Sequence, residues 1–239
     1  MVSKHSRLDR FISKKLSIKR ADIRLLLAQK RIQVDGKTAT DTAQQIGQFN
    51  LITLDNNILQ QHSAHYLMLH KPVGVVCATK DNQHKTVIDL IDDDYPALHI
   101  AGRLDLNTSG LVILTNDGTW SRSLSNPLSN IKKEYIVELE HVLSEDYIKA
   151  FSEGMYFSYE NITTKPADLK ISAKKTAIVT LTEGKYHQIK RMFGRFRNPV
   201  IKLHRSAIGD LKLCSNLAPG QYRSLTEAEL LALKQQMLN

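Results

Sequence analysis

The chain has 239 residues and a formal net charge of +9 at pH 7, from 33 Lys and Arg against 24 Asp and Glu. With 42% hydrophobic and 24% charged residues, its composition is that of a globular protein, which excludes fibrous and disordered classes. The sequence contains no apolar stretch long enough to cross a bilayer and no apolar core of a secretory signal near its start. Its two cysteines cannot build a disulfide framework. These features predict a cytoplasmic protein that does not enter a membrane.

The positive charge is concentrated in two regions. Residues 1–61 hold 11 basic and 5 acidic side chains, and residues 183–213 hold 8 basic and 2 acidic ones. The middle of the chain, residues 62–182, is mildly acidic, with 12 basic and 15 acidic side chains. Two basic regions on either side of an acidic body favour a protein that binds a polyanion, such as nucleic acid, at two places. A basic surface without a binding role is the alternative.

The first region predicts two helices followed by strands. Apolar residues recur at helical spacing over residues 8–16, and Ser17 is placed to cap a second helix. Residues 32–37 alternate and end in an Asp-Gly turn signal, and residues 50–54 form a further strand candidate. The basic side chains on the polar helix faces include Lys14, Lys15, Lys19, Arg20 and Arg24. We interpret residues 1–60 as a small α/β module that binds a polyanion through these side chains, although a solvated helix face would have the same composition.

The remainder of the chain, residues 61–239, predicts a larger domain. Residues 55–65 are polar and lack periodicity, which is typical of a linker. Strands are predicted at 66–70, 75–79, 111–115, 135–139 and 176–181, and helices at 144–152, 187–196 and 226–237. In the last helix, Thr226 and Glu229 have the spacing of a capping box. Strands in succession with few helices between them indicate an α+β fold with a mainly antiparallel sheet.

One segment, residues 102–111, combines the features of a candidate site. Asp105 lies between Gly102 and Gly110, beside Arg103, and directly before a strong strand. Glycines permit sharp turns and the close approach of a ligand, so a carboxylate here is well placed to point into a cleft. The structural alternative is a turn aspartate that accepts hydrogen bonds from nearby backbone amides, and spacing alone does not decide between the two.

Two further segments add an aromatic ring and positive charge. Tyr135 begins a predicted strand after a basic approach, and it could stack on a base or pack as an ordinary strand residue. Residues 183–193 place His187, Lys190 and Arg191 on one predicted helix. Since Lys190 and Arg191 point about 100° apart on a helix, only one can face a cleft, while the other can reach phosphates. A solvated basic helix end is the alternative.

Other common chemistries lack their signatures in this sequence. His187 and His204 have no partner at metal-ligand spacing, and the two cysteines are isolated. Neither a phosphate-binding loop nor a dinucleotide fingerprint occurs, and Thr108-Ser109-Gly110 is not a nucleophile elbow. The candidate site is therefore predicted to use one carboxylate and several basic residues, with no metal.

The segment Gly102-Arg103-Leu104-Asp105-x-x-Thr108-Ser109-Gly110-Leu111 closely resembles the signature of pseudouridine synthases of the RsuA and RluA kind. Three further segments resemble that family and occur in its order. They are Lys71-Pro72-x-Gly74, Lys133-x-Tyr135, and Gly184-x-x-His187-Gln188-x-Lys190-Arg191-Met192. Residues 7–54 resemble the RNA-binding module of alpha-L type that a small-subunit ribosomal protein also contains. The resemblance extends over nearly the whole chain.

The resemblance implies a reaction and a set of residues that perform it. Conversion of uridine to pseudouridine breaks the C1′–N1 bond, turns the uracil and forms C1′–C5, so it needs no cofactor. Asp105 would be the essential carboxylate, either as a nucleophile or as a base on the sugar. Lys190 would pair with Asp105 and keep it ionised, with Arg191 as the substitute, and Tyr135 would pack against the uracil. Arg103 would occupy the stack that the extruded uridine leaves, and His187 and Arg191 would contact the RNA.

The resemblance is strongest to the RsuA type, which modifies one uridine of small-subunit ribosomal RNA. It implies a cytoplasmic, monomeric enzyme that acts on 16S RNA at position 516, either on the RNA alone or on an assembling ribosomal particle. The same reaction on 23S RNA is a second hypothesis. A non-catalytic RNA-binding or ribosome-assembly protein is a third, and the presence of Asp105, Tyr135 and Lys190 together counts against it.

Overall fold

The computed structural model describes residues 5–92, 94–95 and 97–237. Residues 1–4, part of the segment in which no secretory signal was found, lie outside the described residues. The chain divides into two compact units, Met1–Ala64 and His65–Asn239. This division comes four residues after the end of the module predicted at residues 1–60.

The first unit combines two helices with short strands. The helices are α1 (Leu8–Leu16) and α2 (Arg20–Ala28), and the strands are β1 (His5–Arg7), β2 (Ile32–Val34), β3 (Lys37–Thr38), β4 (Gln45–Gly47), β5 (Ile52–Leu54) and β6 (Asn57–Gln60). Four of the strands form a sheet in the order β3-β2-β5-β6, and β1 pairs separately with β4. All of these pairings are antiparallel. A small core joins one face of each helix to the sheet through Leu8, Ile12, Ile23, Leu27, Ile32, Val34, Ala39, Ile46 and Ile52. The helices and the hairpin at residues 32–37 are therefore confirmed.

Two local predictions in this unit are wrong. Ser17 does not cap α2; it ends α1 in the left-handed conformation with φ 56°, and α2 begins after Lys19 without a side-chain cap. Residues 55–65 are not a continuous linker, since Asn57–Gln60 forms β6. The reason is a tight turn at Asp55 and Asn56, which both have positive φ, as the hairpin turns that match strand twist require.

The second unit is built on one nine-stranded sheet. Its strands are β7 (Tyr66–Lys71), β8 (His99–Ala101), β9 (Ser109–Thr115), β10 (Lys133–Leu139), β13 (Asp168–Ala173), β14 (Thr176–Leu181), β15 (Val200–Ile208), β16 (Leu211–Lys212) and β17 (Tyr222–Ser224), and β11 (Tyr156–Phe157) with β12 (Ile162–Thr163) forms a separate hairpin. The helices are α3 (Gly118–Ser125), α4 (Glu145–Glu153), α5 (Gln188–Gly194) and α6 (Glu227–Gln236). The main path runs β13-β14-β10-β15-β9-β7-β17. Of its pairs only β9–β15 is parallel, in agreement with the predicted α+β fold and mainly antiparallel sheet.

The central strands of this sheet are buried on both faces. Along β7, Leu67 and Leu69 enter one core while Met68 enters the other. Helices α4 and α5 cover the first face with residues such as Phe151 and Phe193, and α3 and α6 cover the second. Strands that are buried on both faces have nearly continuous runs of apolar residues in their sequence. For this reason the sequence predicts β7 and β9.

Differences from the sequence prediction in this unit arise from local chemistry. Residues 75–79, predicted as a strand, make only an isolated bridge from Val76 to Thr86. Helix α3 was not predicted; it begins after Asp117, whose carboxylate accepts hydrogen bonds from the amides of Thr119 and Trp120. The capping box of Thr226 and Glu229 at α6 is confirmed. Among the described residues, no helix has the length and apolar character needed to span a membrane.

Candidate active site

The second unit contains a cavity of about 560 Å³ that gathers most of the predicted catalytic residues. Its lining includes Arg103, Asp105, Tyr135, His187 and Lys190. These residues come from three distant parts of the sequence: the loop between β8 and β9, the start of β10, and α5 with the turn that leads into it. The fold therefore brings together the three segments that the sequence singled out.

The Asp105 carboxylate is directed into this cavity and is not used to stabilise its own turn. The Thr108 amide donates its hydrogen bond to the main-chain carbonyl of Asp105, at 3.1 Å, and not to the carboxylate. The side chain of Asp105 is 34% exposed. The interpretation of Asp105 as a turn-capping residue is therefore not supported, and the carboxylate is available to a ligand.

A fully buried lysine supports the loop that carries Asp105. Lys71, at the end of β7, is 0% exposed, and its Nζ donates to the carbonyl oxygens of Thr108 at 2.7 Å and Pro72 at 2.9 Å. A longer contact of 3.4 Å reaches the carbonyl of Leu106. Burial lowers the pKa of Lys71 to about 8, and the negative charge of Asp105 partly offsets this effect. Lys71 is not among the site residues predicted from the sequence; its only signal there is its place in the Lys-Pro-x-Gly segment.

A buried arginine performs a similar task from the opposite side. Arg205 on β15 is 2% exposed, and its guanidinium donates to the carbonyl oxygens of Leu111 at 2.8 Å and Gly102 at 3.0 Å. These two carbonyls flank the Asp105 loop, which is thereby held between β15 and β9. Arg205 was also missed in the sequence, because only the parallel pairing of β9 with β15 shows that it meets this loop.

Gly110 explains the last glycine of the signature segment. Its φ is 115°, and a Cβ at this position would lie 2.3 Å from the carbonyl oxygen of Arg205. No side chain fits between the backbones of β9 and β15 at this point, because Gly110 pairs directly with Arg205. The glycine therefore permits the parallel pairing that fixes the position of the loop.

His187 is the ionisable partner of Asp105, and Lys190 is not. The Nε2 atom of His187 lies 3.4 Å from Oδ2 of Asp105. Lys190 lines the same cavity but forms no ion pair with Asp105 among the described residues, so the predicted pairing is wrong for this structure. The physical reason is that α5 begins at Gln188, while His187 precedes it in the left-handed conformation with φ 48°.

The turn that holds His187 is fixed by a buried polar network. The amide of Lys185 donates to Oε1 of Gln188 at 3.0 Å, and Nε2 of Gln188 donates to Oε1 of Glu183 at 2.8 Å. Glu183 is 8% exposed and accepts a further hydrogen bond from the amide of Lys165 at 2.8 Å. Because every one of these groups is paired, the turn has one well-defined geometry.

Tyr135 and Lys133 form the wall of the cavity that β10 contributes. Tyr135 is 9% exposed and lies next to an irregularity in the pairing of β10 with β15. Lys133 lines the same cavity, and burial together with the positive charges of Arg205 and Lys165 lowers its pKa. The cavity thus combines an aromatic wall with a concentration of positive charge.

Two groups of predicted RNA-contacting residues lie outside this cavity lining. Arg191 donates to Oε2 of Glu160 at 2.6 Å and lies over the ring of Phe157, 4.2 Å from its centroid. These contacts attach α5 to the β11–β12 hairpin, so Arg191 does not substitute for Lys190 at Asp105 in this structure. In the first unit, the predicted RNA-contacting side chains are all exposed and lie on α1, on α2 or on the connection between them: Lys14, Lys15, Lys19, Arg20 and Arg24.

No group of three or more His, Cys, Asp or Glu side chains in the described part of the chain is arranged to hold a metal ion. Arg103 is exposed at the mouth of the cavity, and its carbonyl contacts the guanidinium of Arg205 at 3.5 Å. The arrangement offers one partly exposed carboxylate, an aromatic wall and several cations, which suits a reaction on an anionic substrate that contains a planar ring.

Comparison with known proteins agrees with this description. Residues 65–194 match the family model of RNA pseudouridylate synthase. Curated relatives named ribosomal small subunit pseudouridine synthase A include one from Pseudomonas aeruginosa, 45% identical, and one from Escherichia coli K12, 41% identical; each alignment covers 94% of this chain and 98% of the relative. A solved structure described as "Crystal structure of pseudouridylate synthase" has a TM-score of 0.68 and 37% identity, covering 95% of this chain and 99% of that one.

The fold and the cavity are those of an RNA-modifying isomerase, and the chain belongs to the RNA pseudouridylate synthase family. Within that family it is of the RsuA type.

Proposed function

We propose that this enzyme converts one uridine of 16S ribosomal RNA, at position 516, to pseudouridine, with Asp105 as the essential carboxylate and without a cofactor. The observation that carries the proposal is that Asp105, Tyr135 and Lys190 line the same cavity. The relatives are named as small-subunit enzymes, and they align with this chain over nearly their full length. These names support the choice of RNA.

The chemistry of the reaction fits one carboxylate in such a cavity. Substrate and product are isomers, so the reaction consumes no oxidant, reductant or group donor. Asp105 either attacks the sugar C1′ or removes a proton from the sugar, and in both cases the uracil detaches, turns and bonds through C5. Lys190 supplies positive charge in the same cavity, and Tyr135 packs against the uracil and assists removal of the C5 proton.

The substrate must enter the cavity as an extruded nucleotide. A uridine within folded RNA leaves its stack to reach Asp105, and Arg103, exposed at the cavity mouth, occupies the vacated place. We assign His187 to the RNA-contacting residues because it lines the same cavity. The exposed cations of the first unit, which we regard as a module of alpha-L type, bind phosphates and supply affinity. The enzyme acts in the cytoplasm as a monomer, on RNA or on an assembling particle.

Mass-spectrometric mapping of pseudouridine in both ribosomal RNAs tests this proposal. Cells that lack the gene are complemented with the wild type or with Asp105→Asn, an isosteric change that removes the charge. We expect one small-subunit site to be absent and to return only with the wild type. A missing site in 23S RNA would instead show that the substrate is large-subunit RNA. Full restoration by Asp105→Asn would overturn the role of the carboxylate, and RNA binding without any missing site would indicate a non-catalytic protein.

A further inference from the structure

We propose that His187 is a positioning residue for Asp105, and that the stacked ring of Tyr186 holds His187 in place. This inference rests on the proposed function, since it concerns how the essential carboxylate is oriented. It assigns to His187 a role beyond contact with the RNA, and it assigns a role to Tyr186, which the function so far leaves without one.

The first observation is the approach of the two side chains. Nε2 of His187 lies 3.4 Å from Oδ2 of Asp105, which is slightly longer than an ordinary hydrogen bond. Catalytic hydrogen bonds are often long in the free enzyme and shorten in the complex with substrate. Closed to hydrogen-bond distance in that complex, one N–H donated to Oδ2 would fix the rotation of the carboxylate and leave Oδ1 free to act on the sugar.

The second observation is the backbone of His187 itself. Its φ of 48° is uncommon for a residue with a side chain, and its carbonyl accepts the first hydrogen bond of α5, from the amide of Arg191 at 3.0 Å. The turn around His187 is fixed through Gln188, which accepts a hydrogen bond from the amide of Lys185 and donates one to Glu183. The left-handed conformation is thus built into the turn and sets the direction from which the imidazole meets Asp105.

The third observation is an aromatic stack that no core packing explains. The rings of Tyr186 and His187 are 3.9 Å apart at their centroids and inclined by only 16°. Tyr186 is 75% exposed, so it packs in no core, and its ring stacks on this imidazole. A tyrosine in this position restricts the rotation of the His187 ring at small entropic cost, which is what a positioning residue needs.

The charges around the pair set what the contact can do. The positively charged groups in the cavity wall or beneath the Asp105 loop are Lys71, Arg103, Lys133, Lys185, Lys190 and Arg205, and the acidic one besides Asp105 is Glu183. Because cations already line the cavity that contains Asp105, His187 does not need to act as one more charge. Imidazole donates from Nε2 in its charged form and in one neutral tautomer, so His187 acts through direction. We therefore expect the rate of the chemical step to depend on it more than the affinity for RNA does.

The experiment compares variants that keep or remove the donor. His187→Gln places an amide N–H close to the position of Nε2, whereas His187→Asn suits the left-handed backbone but is too short to reach Asp105. With the full-length enzyme and a transcribed 16S RNA substrate, we expect His187→Asn to lower kcat about 10- to 100-fold with KM changed less than threefold. We expect His187→Gln to recover most of that loss. Tyr186→Leu should lower kcat by a smaller factor, while Tyr159→Leu, at a tyrosine that is 97% exposed, is the matched control.

Three outcomes would overturn the inference: a rise in KM at constant kcat, equal losses for His187→Asn and His187→Gln, or no loss in either. Thermal melts monitored by circular dichroism show whether each variant is folded. A second measurement, NMR of the histidine side chains, is independent of catalysis. The imidazole ¹⁵N resonances of His187 are assigned by their absence from the spectrum of His187→Gln. We expect Asp105→Asn to shift them. Unchanged resonances would contradict the contact even in an active enzyme. An inactive wild type with shifted resonances would instead contradict the proposed function and retain the contact.

Discussion

The two units of this chain use charged side chains in opposite ways. In the first unit, five of the basic side chains on and between α1 and α2, Lys14, Lys15, Lys19, Arg20 and Arg24, are exposed, and none of these five forms an ion pair among the described residues. In the second unit, Lys71, Arg205 and Glu183 are almost completely buried, and each is hydrogen-bonded to named backbone or side-chain groups. The same residue types are solvated in one region and fixed in the other.

This difference reflects what each unit has to do. Solvated cations bind phosphates at many positions with little geometric demand, because water and salt screen them. A carboxylate that must attack or deprotonate a sugar needs a defined position, and buried hydrogen-bonded cations supply it at the cost of desolvation. The comparison predicts that substitutions in the second unit change stability and rate, whereas those in the first change affinity and its salt dependence.

The largest effect should come from the glycine between β9 and β15. In Gly110→Ala the new Cβ meets the backbone of Arg205 at 2.3 Å, so the strands must separate. We expect a loss of about 3 kcal/mol or more in the free energy of unfolding. Gly36→Ala is the control in the first unit: its φ is also positive, at 74°, but nothing lies within 4 Å of the added Cβ. Denaturant unfolding of both variants measures the difference, and equal losses would show that backbone strain alone is responsible.

The next effect concerns the buried lysine beneath Asp105. Lys71→Met removes the donor shared by the carbonyls of Thr108, Pro72 and Leu106, so we expect a loss of about 2 kcal/mol in the free energy of unfolding. The folded-state pKa of Lys71, about 8, is below its ordinary value of 10.5. Between these values the unfolded chain binds more protons, so the lysine's contribution to stability rises with pH.

Denaturant unfolding of wild type and Lys71→Met from pH 7 to pH 10.5 tests both parts of this prediction. The difference in the free energy of unfolding between wild type and Lys71→Met should increase as the pH rises through 8 and beyond. A gap that narrows over this range would show that Lys71 is stabilised as a cation by its carbonyl partners. A variant as stable as the wild type at every pH would show that the loop keeps its position without Lys71.

Much of the fold could be predicted from the sequence because its signals are local. The Asp-Gly turn, the capping box at Thr226 and the apolar runs of β7 and β9 each act within a few residues. The predicted strand at 75–79 failed for the opposite reason: its residues have strand propensity but find no neighbouring strand beyond one bridge. Propensity indicates what a segment tolerates, and pairing depends on the rest of the sheet.

The candidate site shows the same division. The segments around Asp105, Tyr135 and Lys190 were found by their composition and resemblance, and the fold places them around one cavity. The burial of Lys71 and Arg205 was not predictable, because it depends on the sheet order that places β7 and β15 beside β9. The exchange of Lys190 for His187 at Asp105 depends on a single left-handed residue, which helical periodicity does not reveal.

A smaller effect is expected when the exposed charges of the first unit are removed. Replacing Lys14, Lys15, Lys19, Arg20 and Arg24 by Ala should lower RNA affinity about 10-fold at moderate salt. It should also reduce the slope of log K against log salt by at most about 4, since each phosphate contact contributes 0.7–0.9. Lys174→Ala with Lys175→Ala, at two exposed residues between β13 and β14, is the control for a general change in net charge. An unchanged slope in the fivefold variant would mean that these cations form only a solvated face.

The smallest effect compares one type of ion pair in the two units. Arg223 and Glu229 are joined by two hydrogen bonds of 2.8 and 2.7 Å, and Glu229 also completes the capping box of α6. The hydrogen bonds from Arg223 hold the pKa of Glu229 at about 2, below its ordinary 4.5. Its stabilisation is therefore complete above pH 4.5 and lost as the pH falls toward 2. Because solvent screens this partly exposed pair, we expect Glu229→Gln to lower the free energy of unfolding by about 1 kcal/mol at pH 7. The difference between variant and wild type should disappear toward pH 2.

The counterpart in the first unit is the pair of Arg31 with Asp55, whose side chains are 43% and 42% exposed. The Arg31 guanidinium also lowers the pKa of Asp55, but this carboxylate has no role in capping a helix. Asp55→Asn should therefore change the free energy of unfolding less than Glu229→Gln does, since the exposed pair exchanges its hydrogen bonds with water. Parallel acid unfolding of the two variants measures both gaps. If Asp55→Asn lowered the free energy of unfolding as much as Glu229→Gln or more, the exposed ion pair of the first unit would stabilise it no less than the partly buried pair stabilises the second. That result would contradict the contrast between solvated and fixed charges.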